Sequence, residues 1–105
     1  MANLTLTISE ALSRAFSAYN AGKLVEAEQL CQQIINAKPD LFDALHILAV
    51  VQSRLDKKVT ALASYERALA LRPDYAEAFS NRGLTLHELK RYDEALARIS
   101  HTPFL

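Results

Sequence analysis

Apolar residues recur along this chain at spacings of three and four, the period of a helix with one buried face. In "TISEALSRAFSAYNAG", Leu12, Ala15, Phe16 and Tyr19 share such a face. Thr7 and Glu10 have capping-box spacing at its start, and Gly22 is placed to end it in the left-handed conformation. The next stretch, "LVEAEQLCQQIINAK", puts Ala27, Leu30, Cys31, Ile34 and Ile35 on one face. Pro39 follows and disfavours helix at Lys38. Asp40 is then placed to cap a third helix, with Asp43 three residues on, and Asp74 with Glu77 repeats that arrangement.

The repetition has a fixed period. Pro39 and Pro73 stand 34 positions apart, as do Asp40 and Asp74, Ala44 and Ala78, and Leu55 and Leu89. Ala27, Ala61 and Ala95 carry the period through three copies, and so do the small residues Ala15, Ala49 and Gly83. A period of this size marks a stack of supersecondary units. The boundaries that follow are residues 8–41, 42–75 and 76–105, the last incomplete, in one domain spanning 1–105. Each unit reads as two helices. The Pro-Asp pair ends one hairpin and starts the next. The small residues let the two helices of a hairpin approach closely. An alanine-rich composition explains any one of them, but not their common spacing.

Composition agrees with an all-α chain. Of 105 residues, half are apolar, and only two are glycine and three proline, so the chain has material for a core and few helix breakers. Twelve basic residues balance twelve acidic ones without a like-charge block, which leaves no global field for nucleic acid or an anionic membrane. The single Cys31 has no internal disulfide partner and fits a reducing compartment. The opening "MANLTLTISEA" lacks the basic flank and apolar run of a signal peptide. No stretch has the length needed to span a bilayer. The expectation is a soluble, cytoplasmic protein, and the sequon Asn3-Leu4-Thr5 is read as a chance match.

With these residues in place, the chain resembles the tetratricopeptide repeat family. That family's 34-residue unit has a large residue near its start, small residues at its eighth and twentieth positions and a proline near its end. Here the large residues are Leu45 and Phe79. The small ones are Ala49 with Ala61 and Gly83 with Ala95, and the prolines are Pro39 and Pro73. The segment "AEAFSNRGLTLHELKRYDEALA" is the best match. Repeat one departs most, with Ala11 for the large residue and Arg14 where leucine is usual; Lys58 stands where Tyr92 falls in repeat three. The "AGKLVEAE" style is also similar to repeats that precede glycosyltransferase domains in some bacterial proteins, although no such domain lies in this sequence.

The resemblance implies an α-α superhelix of three hairpins, the third truncated. Its concave groove, lined by the first helices, would take a peptide or partner helix. From repeat one the groove would be lined by Leu12, Phe16 and Tyr19, with Leu12 and Phe16 also placed to serve as core. Repeat two would contribute Asp43, His46, Val50 and Arg54, and repeat three Glu77, Ser80, Leu84 and His87. Family members that grip acidic chaperone tails use Lys, Asn and Arg on this face. Leu12, Phe16, Ile47, Ser80 and Leu84 stand at the corresponding positions, with Asn81 the one nearby amide, so no charge-assisted grip on a carboxylate is expected.

Catalysis and cofactor binding find no support in the residues. His46, His87 and His101 contain no pair at i, i+4, and His87-Glu88 is followed by Leu89-Lys90-Arg91, which breaks the zinc-protease pattern. Nothing marks a nucleophile elbow or a phosphate loop, and Cys31 falls on an apolar helix face. Neither a cofactor nor a metal is expected. Lys57-Lys58 and Lys90-Arg91, about one period apart, begin the expected second helices and read as solvated turn residues rather than a nucleic-acid ridge.

Repeat three reads "ISHTPFL" where repeat two continues, and Pro103 ends its second helix early. A terminal repeat without a capping helix leaves an apolar edge. Leu86, Leu89, Leu96, Ile99, Phe104 and Leu105, together with Leu84, are the candidates for that edge. Three covers are open: a second copy of the chain, making a homo-oligomer; a neighbour belonging to a longer parent protein; or Phe104 and Leu105 folding back.

Overall fold

A computed structural model describes residues 7–100. It is all α, with α1 Ile8–Asn20, α2 Leu24–Ala37, α3 Phe42–Arg54, α4 Lys58–Leu71 and α5 Ala76–Ser100. The first four helices form two antiparallel hairpins, α1–α2 and α3–α4. They stack on each other, and α5 packs against both α3 and α4. The result is an elongated body of 63 × 33 × 22 Å. Among the described residues, no helix is long and apolar enough to cross a membrane.

Local signals place most of the ends. The Thr7 hydroxyl accepts from the Glu10 amide at 3.0 Å while the Glu10 carboxylate accepts from the Thr7 amide at 2.9 Å. This capping box satisfies the Thr7 and Glu10 amides, and the hydrogen bonds from Thr7 hold the Glu10 carboxyl below its usual range. The α1–α2 turn passes through Gly22 at φ 79°, and the α3–α4 turn through Asp56 at φ 67°. Both turns close with the same six-to-one bond, Lys23 N–H to Ala18 at 2.8 Å and Lys57 N–H to Gln52 at 2.8 Å. Ahead of each proline the backbone is extended, with Lys38 at φ −144° and Arg72 at φ −134°. The expected Asp40 cap is not formed. Leu41 is the N-cap of α3 and offers no side-chain bond. Asp40 lies one residue too early and leans towards Lys38 instead, at 3.9 Å.

The small-residue series work as spacers. Ala15, Ala27, Ala49 and Ala61 are all fully buried. Ala49 and Ala61 share a cluster with Tyr65, and Ala27 packs with Ala18 and Val51. The main core joins the two hairpins through Cys31, Ile34, Ile35, Phe42, Leu45 and Leu48. A buried polar pair also ties α3 to α4, where Ser64 donates to Gln52 Oε1 at 2.7 Å.

Repeat three departs from the expected hairpin. α5 runs through Lys90-Arg91 without turning, for 25 residues. Lys90 is the period-mate of Gly22 and Asp56, the two left-handed residues. A lysine there would cost roughly 1–2 kcal/mol, whereas glycine pays nothing and aspartate less. The face that a returning helix would cover is consequently open. A methyl group added at Gly83 would meet nothing within 4 Å, and Phe79 and Leu86 are exposed beside it. Ala95, the third member of the buried alanine series, is exposed as well.

Candidate functional site

The first helix of each repeat contributes to one concave surface. α1, α3 and α5 lie side by side there, and between them runs an open groove of about 1200 Å³. The spacing of its lining residues follows from the helix period. Asp43, His46, Ile47, Val50 and Arg54 on α3 recur at three and four, as do Glu77, Asn81, Leu84 and Glu88 on α5.

Leu12, Phe16 and Tyr19 from α1, Asp43, His46, Val50 and Arg54 from α3, and Glu77 and Leu84 from α5 all line this groove. Leu12 is half-buried and packs against the core as well. Phe16 is not core: more than half of it is exposed. Ser80 and His87 do not line the groove; both are exposed. Ser80 is the period-mate of His46 and Leu12, whose side of the helix is closed by the next repeat's first helix. No helix follows α5 among the described residues, so that side of it faces solvent.

The groove floor is an aromatic cluster. The His46 ring stacks near Phe42 at 5.6 Å and meets Tyr75 at 5.4 Å and Tyr65 at 6.2 Å between centroids. Tyr75 and Phe42 pack edge to face at 4.8 Å. Asn81 Nδ2 lies 3.4 Å from His46 Nε2. Burial holds His46 below its ordinary value, against the opposing pull of Glu77 and Asp43. Burial also pushes the Tyr65 phenol up to about 12.

A polar set closes one end. Lys58 Nζ lies 3.1 Å from Glu88 Oε1 and 3.9 Å from Asp56 Oδ1, and donates to the Ser53 carbonyl at 2.8 Å. Thr85 donates to the Asn81 carbonyl at 2.9 Å, with Ser53 Oγ 3.0 Å from the Thr85 hydroxyl. The Arg54 guanidinium covers the Tyr19 ring at 4.9 Å. Lys57 is drawn away to Glu28, at 2.9 Å. The lysine pair at the α3–α4 turn is therefore charge-compensated, and Lys90-Arg91 lie inside α5 rather than at a matching turn. The basic ridge has no geometric counterpart.

The sequence reading missed Lys58, Tyr65, Tyr75 and Thr85 in the groove. Two of these lie on α4 and one in the α4–α5 linker, outside the first helices that the resemblance singled out. Asn81, named above only as the one nearby amide, lines it too. Asn81 and Ile47 are period-mates, which is a signal that was available. At the proposed edge, Leu86 and Leu96 are exposed, Leu96 by 62%, whereas Leu89 is half-buried. The side chain of Ile99, and Phe104 and Leu105 entirely, lie outside the described residues. Among the described residues no group of three or more His, Cys, Asp or Glu is placed to hold a metal.

Comparison with known proteins bears on the fold. Residues 60–90 match the family described as TPR repeat. An arginine-to-glutamate mutant of MamA superposes with a TM-score of 0.77 at 22% identity, covering 94% of this chain and 72% of that one. A second MamA structure gives 0.75 at 22%, over 90% of this chain and 51% of its own. An O-GlcNAc transferase mutant from Thermobaculum terrenum gives 0.73 at 29%, over 79% of this chain but only 17% of its own. No curated protein matches the chain. The resemblance read from the sequence thus stands, and the architecture is that of a tetratricopeptide-repeat solenoid, a fold whose repeats generally serve protein–protein interaction. The transferase's name describes a protein of which this chain matches a small part.

Proposed function

We propose that this tetratricopeptide-repeat chain is a non-catalytic interaction module that takes a peptide or partner helix in its concave groove. One observation carries the reading. Phe16 on α1 and Leu84 on α5 both line the groove and are each more than half exposed, and Val50 lies half-buried on α3. Exposed apolar side chains gathered in a concavity and rimmed by polar groups mark a binding surface. Cys31, the one thiol, is buried with its pKa pushed up to about 12, far from a reactive thiolate. A reducing, cytoplasmic setting accords with it.

Peptide-display selection against the chain tests this directly. Selected peptides should lose binding to a Phe16→Ala/Val50→Ala/Leu84→Ala variant that still melts cooperatively. Peptides that bind wild type and variant alike would place the interaction elsewhere.

A second reading, homo-oligomerisation through the C-terminal edge, draws on the exposed Phe79, Leu86 and Leu96 along α5. Light scattering across a dilution series separates the two. A mass that stays near twice 11.7 kDa supports an α5 interface, and a monomer at all concentrations removes it.

A further inference from the structure

We propose that the groove's partner is a basic, amphipathic peptide segment, with an Arg or Lys side chain seated at the His46 end beside Asp43 and Glu77. This rests on the groove reading above and adds the chemistry of the occupant.

The argument begins with the charges that line the groove. Four carboxylates do so, Asp43, Asp56, Glu77 and Glu88, against two cations, Arg54 and Lys58. Of the cations, Lys58 is ion-paired and Arg54, at the C-terminal end of α3, is exposed. Lys58 is only 12% exposed at its side chain and is held by Glu88, Asp56 and the Ser53 carbonyl. Arg54 lies over Tyr19. Asp43 and Glu77 differ: among the described residues no cation lies within ion-pairing reach of either. They are period-mates in the first turns of α3 and α5, so the repeat itself brings the two carboxylates to one end of the groove. His46 adds no positive charge between them at neutral pH, because burial disfavours its protonated form.

The ring cluster suits a cation as well. Tyr75 and His46 both line the groove. The chain's own Arg72 already stacks on this cluster, 4.8 Å from the Phe42 centroid and 6.0 Å from that of Tyr75. Aromatic faces attract guanidinium and ammonium groups, and carboxylates beside them add charge-assisted hydrogen bonds. Further along, Phe16, Val50 and Leu84 offer apolar contact. A peptide with a basic residue one or two helical turns from a leucine or phenylalanine meets both parts. An acidic segment would face the two unpaired carboxylates at this end of the groove.

The probes are the peptides from the display selection and their charge-swapped versions, followed by fluorescence anisotropy. The expected result is enrichment of Arg and Lys and depletion of Asp and Glu. Affinity should fall at least about tenfold in an Asp43→Asn/Glu77→Gln variant, and it should weaken with rising salt. Both positions are exposed, so the variant should melt like wild type. If the peptides bind through Phe16, Val50 and Leu84 but ignore the Asp43/Glu77 change, or carry net negative charge, the basic-partner inference fails and the groove reading survives. If no selected peptide depends on those apolar residues, the groove reading fails and takes the inference with it.

Discussion

The α3–α4 hairpin and α5 are built from nearly the same instructions and end differently. Both start after Pro-Asp, both carry a small residue midway, at Ala49 and Gly83, and both place an alanine twelve positions later, at Ala61 and Ala95. In the hairpin those residues are buried against each other. In α5 they lie along one straight helix and face solvent. The difference sits at one position. Asp56 turns the chain at φ 67°, while its mate Lys90 stays helical. A second factor adds to it. A returning helix in repeat two is covered on its far side by α5, whereas among the described residues no helix stands in that place for repeat three. A repeat motif therefore specifies a hairpin only where the turn residue tolerates the left-handed region and a neighbour rewards the closure.

Core truncation should show the largest contrast. Leu45→Ala, at a side chain 1% exposed, should cost about 2–5 kcal/mol in urea unfolding. Leu96→Ala, 62% exposed, should stay within about 0.5 kcal/mol. Comparable losses at the two sites would mean that the far half of α5 is covered in solution.

The turn itself can be rewritten. Lys90→Gly removes a left-handed penalty of about 1–2 kcal/mol and weakens the straight helix by about 1 kcal/mol. Closure of the third hairpin should follow. Spin labels at Arg82 and Leu96 would report it: fourteen helical residues span about 21 Å, whereas these two flank Gly83 and Ala95, whose period-mates Ala49 and Ala61 pack together in the closed hairpin, on helices roughly 8–10 Å apart. An unchanged long distance would show that Lys90 is not what keeps α5 straight.

The smallest effect concerns pH. His46 titrates below its ordinary 6.5 in the folded chain because burial disfavours the charged ring. The unfolded chain then binds the proton more readily, so this contribution to stability is complete above about pH 6.5 and is lost as pH falls through the folded value. Melting temperature should drop between pH 7.5 and 5.5 by more in wild type than in His46→Gln. Equal drops would assign the pH sensitivity to other groups.

Much of this was legible beforehand because it is local. The Thr7–Glu10 box, the Gly22 turn, the extended residues before Pro39 and Pro73 and the buried face of α2 each depend on a few adjacent residues. The groove positions on α3 came from the family resemblance, and helix period keeps them on one face. Ser80 and His87 lie off the groove because the period was carried onto α5, beyond which no helix stands among the described residues. Asp40 failed because capping depends on a one-residue register that spacing does not resolve. Tyr75, Tyr65 and Lys58 were missed because their part in the groove comes from packing between repeats.

By itself, the order of residues determined the helical period, the punctuation between units and the small-residue spacing, since each arises from backbone sterics and side-chain size within a turn or two. Tertiary structure decided whether a unit closes, which charges are paired and which aromatic rings meet. Those outcomes depend on whether a second surface is present to repay the turn's strain and the desolvation of charge. Among the described residues no such surface covers the far half of α5, and the same motif that folds back in repeat two runs on as a single helix.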